Sequence, residues 1–145
     1  MCNKSCSKKG RKYRMTVIWT NGCFDIIHRG HIELFKYAKS LGHYLIVGID
    51  SDEKIKQDKG SLRPVNNAGD RKFVLKSIRY IDEVVQFNDA EELNYLIKQA
   101  NPDIMIIGSD WKNMEVVGRE HTKELVFFDR IEGYSTTSIL ENCNE

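Results

Sequence analysis

The feature that most constrains this chain is the alternation of unbroken apolar runs with segments whose apolar residues recur at helical spacing. Met15 to Thr20 carries Val17, Ile18 and Trp19 in succession, and Tyr44 to Ile49 is apolar throughout except for Gly48. Continuous rather than alternating hydrophobicity is expected of a strand covered on both faces. Glu83 to Phe87, Asp103 to Ile107 and Glu124 to Phe128 read as three further strands. Between them, Gly30 to Leu41 places Leu34, Ala38 and Leu41 at i, i+4 and i+7, and Gly42 supplies a stop. The polar stretch Asp50 to Asn67 holds a helical turn around Glu53 to Gln57. A helix over Ala68 to Tyr80 carries Val74, Ile78 and Ile81 on one side, and another covers Ala90 to Ala100. Gly108 to Thr122 reads as a long loop, and a short helix starts near Thr136. Strands alternating with helices predict parallel βαβ units with right-handed crossovers. The fold expected is a single α/β, Rossmann-like, doubly wound parallel sheet of about five strands. Such sheets bind ligands beyond the carboxyl ends of their strands, where the strand order reverses.

The chain has 145 residues, 41% hydrophobic and 30% charged with two prolines, which excludes a disordered or fibrous polypeptide. No apolar run approaches the ~20 residues that span a bilayer, so no membrane partner is expected, and the predicted location is cytoplasmic. The net charge of +1 is unevenly spread. Lys4, Lys8, Lys9, Arg11, Lys12 and Arg14 form an acid-free start, and without these six residues 16 basic side chains face 21 acids. We read residues 1–14 as a disordered leader, Met15 as the natural start and residues 15–145 as one domain. A basic leader can also grip nucleic acid or acidic lipid. The acidic body argues against nucleic acid as a partner, because phosphate contacts need clustered Lys and Arg. Cys2, Cys6, Cys23 and Cys143 show no CxxC spacing and read as free thiols.

After the first strand comes Asn21-Gly22-Cys23-Phe24-Asp25-Ile26-Ile27-His28-Arg29-Gly30-His31. The GxGxxG of dinucleotide-binding folds is missing. Two histidines three apart at a helix entrance share one side of that helix. A helix N-terminus, with its N–H groups and partial positive charge, favours phosphate, and Gly30 allows close approach. His28 and His31 can therefore stabilise charge building on a phosphoryl group. A surface pair, or a zinc site recruiting Cys23, would also use these residues, although the spacing matches no common structural zinc site.

Arg130-Ile131-Glu132-Gly133-Tyr134-Ser135-Thr136-Thr137 follows the last strand. Ser135 and Thr136 are ordinary helix caps. With Arg130 as a bidentate clamp, they equally form a second phosphate seat. In Lys59-Gly60-Ser61-Leu62-Arg63-Pro64-Val65-Asn66, Lys59 and Arg63 can neutralise substrate and α-phosphate oxygens, or belong to a solvated charge run. Arg71 is a further candidate phosphate contact. In Gly108-Ser109-Asp110-Trp111, Asp110 can accept from a base amino group while Trp111 stacks on the base, or Trp111 can be core.

Taken in order, these residues resemble the cytidylyltransferase-like nucleotidyltransferases, whose HxGH and STT motifs correspond to His28–His31 and Ser135–Thr137. The likeness covers about residues 15–141. It implies direct in-line attack by a substrate phosphate on the α-phosphorus of a nucleoside triphosphate, without a covalent enzyme intermediate. It also implies catalytic roles for His28, His31, Lys59 and Arg130. Nucleotide binding would fall to Gly22, Cys23, Phe24, Gly30, Arg71, Gly108, Asp110, Ser135, Thr136 and Thr137. The phosphorylated acceptor would be bound by Asp25, Lys59, Arg63 and Trp111. Mg²⁺ would bridge phosphate oxygens with no protein metal ligand, and the resemblance alone implies a homodimer. Arg130–Thr137 and Gly108–Trp111 are similar to glycerol-3-phosphate cytidylyltransferases, although Ile131 stands where that family has threonine. Thr20–Asp25 and Lys59–Asn66 are similar to heptose-1-phosphate adenylyltransferases, which usually lack the arginine at position 130. The favoured reading is CTP with glycerol 3-phosphate, as in cell-surface polysaccharide or teichoic acid precursor synthesis. The alternative is ATP with heptose 1-phosphate, and a non-catalytic nucleotide sensor is the competitor of another class.

Overall fold

The computed structural model describes the backbone of residues 5–8 and 11–143, with side chains from Arg14 onward. Residues 1–4 and 9–10 of the leader, and the thiols of Cys2 and Cys6, lie outside the described residues. Strands β1 (Ser5–Lys8) and β2 (Arg11–Arg14) pair antiparallel as a separate two-stranded ribbon. The body then runs β3 (Val17–Gly22), α1 (Arg29–Ser40), β4 (Tyr44–Asp50), α2 (Asp52–Lys59), α3 (Ala68–Lys76), β5 (Glu83–Phe87), α4 (Ala90–Ala100), β6 (Ile104–Gly108), β7 (Glu124–Phe128) and α5 (Thr136–Asn142).

The five body strands form one sheet in the order β5-β4-β3-β6-β7, and every neighbouring pair is parallel. The order reverses at β3, flanked by β4 on one side and β6 on the other, as a doubly wound fold requires. Side chains alternate between two cores. Ile18, Leu45, Val47, Ile49 and Ile106 pack with Phe35 of α1 and Leu75 of α3 on one face. Val17, Trp19, Ile46 and Met105 pack with Leu93 and Ile97 of α4 on the other. Trp19 is buried and gives its indole N–H to Asn21 Oδ1 at 3.0 Å, which satisfies the one polar atom that burial would strand. Gly48 on β4 makes room for this ring, since a Cβ there would lie 2.9 Å from Trp19 Cζ2.

The helices start on side-chain caps: Ser51 Oγ, Asn67 Oδ1 and Asp89 Oδ1 accept N–H groups of α2, α3 and α4. Three boundaries depart from the periodicity. α2 runs a full eight residues, with Ile55 buried, where only a turn was expected. α3 stops at Lys76 rather than Tyr80, because Ser77, Ile78 and Ile81 donate to Val74, Leu75 and Ile78. These i→i−3 bonds tighten the chain while Ile78 and Ile81 still reach the core. The stretch after β6 contains two 3-10 turns, Ser109–Trp111 and Arg119–His121. Among the described residues, no helix is long and apolar enough to cross a membrane.

Candidate active site

The carboxyl ends of β3, β6 and β7 open onto a cavity of about 280 Å³. Its wall joins the two separated motifs: His28, Gly30 and His31 from the start of α1, and Arg130 with Ser135–Thr137 from the far end of the chain. Thr136 Oγ1 donates to the carbonyl of Ile26 at 3.1 Å and ties α5 to the loop after β3.

His28 is the N-cap of α1, with extended backbone angles. Its Nδ1 accepts the N–H of Gly30 at 3.1 Å, and His31 Nδ1 accepts the N–H of His28 at 3.2 Å. A ring nitrogen that accepts is unprotonated, so both neutral imidazoles carry their hydrogen on Nε2. The rings stack with centres 3.8 Å apart, which keeps the two donor-bearing imidazoles together. Phe24, at a left-handed φ of 49°, meets His31 edge-on with ring centres 5.4 Å apart. A Cβ on Gly30 would lie 2.9 Å from His28 Cε1, so the close approach this glycine permits is that of the capping imidazole. The N–H groups of Gly30 and His31 go to His28. The N–H donors left at this helix entrance thus include the imidazole Nε2–H groups, beside the positive end of the helix dipole.

Burial holds both imidazoles below their ordinary protonation range, Arg130 adding to the effect at His28. For His31, burial, then His28, Arg130 and Lys59, push the pKa down to about 4. The unfolded chain takes up this proton near pH 6.5 and the native protein only near 4. Native stability present at neutral pH is thus lost as pH falls through that window, by about 3 kcal/mol at most. Denaturant titrations from pH 7 to 4 should show this acid loss, and His31→Gln should flatten it; an unchanged slope in the variant would place the acid sensitivity elsewhere.

Cys23, Lys59 and Arg63 line the same cavity. Lys59 closes α2 and has no ion-pair partner among the described residues. Burial raises the pKa of the Cys23 thiol, outweighing the opposing pull of Lys59, so it remains protonated at neutral pH. Gly22, Phe24 and Gly108 also face the cavity.

Four assignments change. Arg71 is buried, and its guanidinium donates to the carbonyls of Asn66, Cys23 and Asp50 and to the Asp52 carboxylate at 2.7–3.0 Å. Four of its five N–H groups are taken up inside the protein and the side chain is buried, so it acts as a structural cross-link rather than an exposed phosphate contact. Asp25 lines the cavity, yet its side chain is 0% exposed and accepts from Arg63 Nε, Val65 N–H and Asn66 N–H. Both its oxygens are taken up in holding the loop. Asp110 pairs with Arg130 at 2.7 Å instead of facing a base. Trp111 is 47% exposed and off the cavity wall, so it neither stacks there nor belongs to the core. Ser135 is the N-cap of α5, its Oγ accepting from Ser138 N–H at 3.0 Å, so capping and a position on the cavity wall coexist.

The apolar walls went unread in the sequence. Leu34 lies one turn beyond Gly30 and His31 on the same helix face, while Phe128, Ile131 and Tyr134 come from the β7 end and the loop after it. Tyr134 also stacks on His28, centres 6.3 Å apart. The spacing of Leu34 was a usable signal; for Phe128 and Tyr134 there was none, since their faces are set by strand register and loop path.

Comparison with known proteins runs in the same direction as the geometry. The cytidylyltransferase-like family model matches residues 19–142. The bifunctional protein HldE of Campylobacter concisus is 42% identical over 139 residues, covering 96% of this chain and 29% of its own length. That of Nitratiruptor is 44% identical over 142 residues, covering 97% and 29%. The chain thus spans less than a third of the length of these relatives. A solved lipopolysaccharide core biosynthesis protein from Thermoplasma volcanium superposes with a TM-score of 0.64 at 25% identity, covering 83% of this chain and 99% of that one. A family match over nearly the whole body, joined to a shared fold, leads to one conclusion: the chain belongs to the cytidylyltransferase-like family of nucleotidyltransferases.

Proposed function

We propose that this protein transfers the adenylyl group of ATP to heptose 1-phosphate, releasing pyrophosphate and forming ADP-heptose. The observation that carries nucleotidyl transfer is the meeting, in one cavity, of two Nε2–H donors, Lys59, Arg130 and the Ser135–Thr137 cap. A phosphate oxygen of the acceptor attacks the α-phosphorus, and the bond from that phosphorus to the bridging oxygen of pyrophosphate breaks. No proton need leave the attacking oxygen, because a phosphate monoester is already anionic. The residues position the reactants and neutralise charge rather than act as acid or base. His28 and His31 donate to oxygens whose charge grows as the bond breaks. Lys59 neutralises the facing phosphates. Arg130, exposed at the rim, exchanges Asp110 for the β- and γ-phosphates. No three His, Cys, Asp or Glu side chains gather as a metal site among the described residues; a Mg²⁺ ion brought in with the triphosphate would supply further neutralisation of phosphate charge beside Lys59 and Arg130.

The choice of substrates reverses the preference drawn from the sequence alone. The HldE relatives match across the same residues whose Thr20–Asp25 and Lys59–Asn66 segments resemble heptose-1-phosphate adenylyltransferases. The case for CTP leaned on Arg130 and Gly108–Trp111. Neither Asp110 nor Trp111 lines the cavity, which weakens that case. Teichoic acid precursor synthesis weakens with it. Pyrophosphate release measured for the four nucleoside triphosphates against heptose 1-phosphate, glycerol 3-phosphate, choline phosphate and ethanolamine phosphate tests the reading. The expected result is turnover concentrated in the ATP–heptose 1-phosphate pair. Preference for CTP with glycerol 3-phosphate would reverse it, and no release with any pair would favour a nucleotide sensor.

A further inference from the structure

The buried carboxylate of Asp25 is engaged through both of its oxygens. Its Oδ2 accepts the Val65 N–H at 2.8 Å and Arg63 Nε at 3.2 Å, and its Oδ1 accepts the Asn66 N–H at 2.8 Å. Asn66 Nδ2 returns a bond to the Asp25 carbonyl at 3.0 Å. These contacts join residues about 40 positions apart and fix the loop between α2 and α3 against the loop after β3. A carboxylate removed from water must be fully compensated, and here two backbone amides and one guanidinium nitrogen do so. Arg63 itself is 16% exposed and lines the cavity. Only its Nε is engaged, and its two terminal nitrogens make no hydrogen bond among the described residues.

We infer that Asp25 is a positioning residue which, through Nε, holds Arg63 with its terminal nitrogens presented as a fork for the phosphate of the acceptor. This deepens the proposed function and rests on its acceptor being a phosphate monoester. Arg63 lines the same cavity as the imidazoles and the α5 cap. In the proposed function the imidazoles and that cap are committed to the triphosphate, which leaves Arg63 for the acceptor. A guanidinium anchored at Nε loses little rotamer freedom on binding and offers two parallel N–H groups to two phosphate oxygens. Lysine cannot do both, because its single ammonium would have to serve either Asp25 or the phosphate. The carboxylate is therefore needed for orientation, and charge at position 63 is not sufficient.

Steady-state kinetics on the whole chain, with ATP and acceptor varied separately, test this. Arg63→Ala should raise the acceptor KM roughly 10- to 100-fold, the worth of a charge-assisted hydrogen bond, with the KM for ATP within about twofold of the parent. Arg63→Lys should behave like Arg63→Ala. Asp25→Asn should raise the acceptor KM about tenfold or more, and in the Arg63→Ala background should add less than about twofold, since it acts through the residue already removed. The inference is overturned if Arg63→Lys restores the acceptor KM to near the parent value. It is also overturned if Arg63→Ala leaves that KM unchanged, or if Asp25→Asn exerts its full effect without Arg63. Should Asp25→Asn fail to fold, the Lys and Ala variants at position 63 still decide. If the parent uses a different phosphate monoester, the substrate assignment fails, and the same variants read with that acceptor still test the fork.

Discussion

His31→Ala is expected to lower kcat by roughly two to three orders of magnitude, the usual cost of deleting one positioned donor to a developing anionic charge. The effect should fall on kcat more than on KM, because the Nε2–H matters most when charge builds on the phosphoryl oxygens. Substitution also unstacks His28, whose ring lies 3.8 Å away, and removes the acceptor of the His28 N–H. Part of the loss will therefore come from a less well-aimed partner, and a His28/His31 double variant should cost much less than the product of the single effects. Single-turnover pyrophosphate release gives the number, and circular dichroism with thermal melting checks that the variant is folded. A folded His31→Ala enzyme within tenfold of the parent would remove the imidazole from catalysis.

The second large effect concerns stability. Arg71→Met should destabilise the protein by about 3–5 kcal/mol, as happens when one member of a buried charged network is removed. The Asp52 carboxylate is partly exposed and can be rehydrated. The carbonyls of Cys23, Asp50 and Asn66 lose their shared donor, and each unmet buried acceptor costs about 1–3 kcal/mol. For a domain of this size the melting temperature should drop by on the order of 10–15 °C. Equilibrium urea unfolding would measure the loss. A change below about 1 kcal/mol would mean that water replaces the guanidinium at no cost, and the cross-link would lose its assigned weight.

Arg71 also shows where sequence reading reached its limit. The five strands of the parallel sheet and most helices were legible because burial on both faces leaves unbroken apolar runs, and amphipathic helices keep their period; β1 and β2, in the leader read as disordered, were not. The histidine pair was legible for the same local reason, a spacing of three at a helix entrance. Whether a charge faces the cavity or the interior depends on distant partners. Arg71 finds its carbonyls 48 and 21 residues away, and Asp25 finds its amides 40 and 41 away. No window of neighbouring residues contains that information. The tautomer of the two histidines was hidden likewise, since it follows from which backbone N–H groups their Nδ1 atoms meet. The shortened α3 was missed because Ile78 and Ile81 keep an apolar rhythm after the bonding has changed from i→i−4 to i→i−3.

The bond from Thr136 to the Ile26 carbonyl ties together segments from the two ends of the body. The imidazole pair is complete by residue 31, while Arg130 and Ser135–Thr137, which complete the cavity wall, come about 100 residues later. A variant interrupted after β6 would keep four of the five sheet strands and the imidazole pair, but would lack the Arg130 and Ser135–Thr137 part of the cavity wall. In the proposed function, such a variant is expected to lose triphosphate binding, which makes the Thr136 bond a clasp on the site.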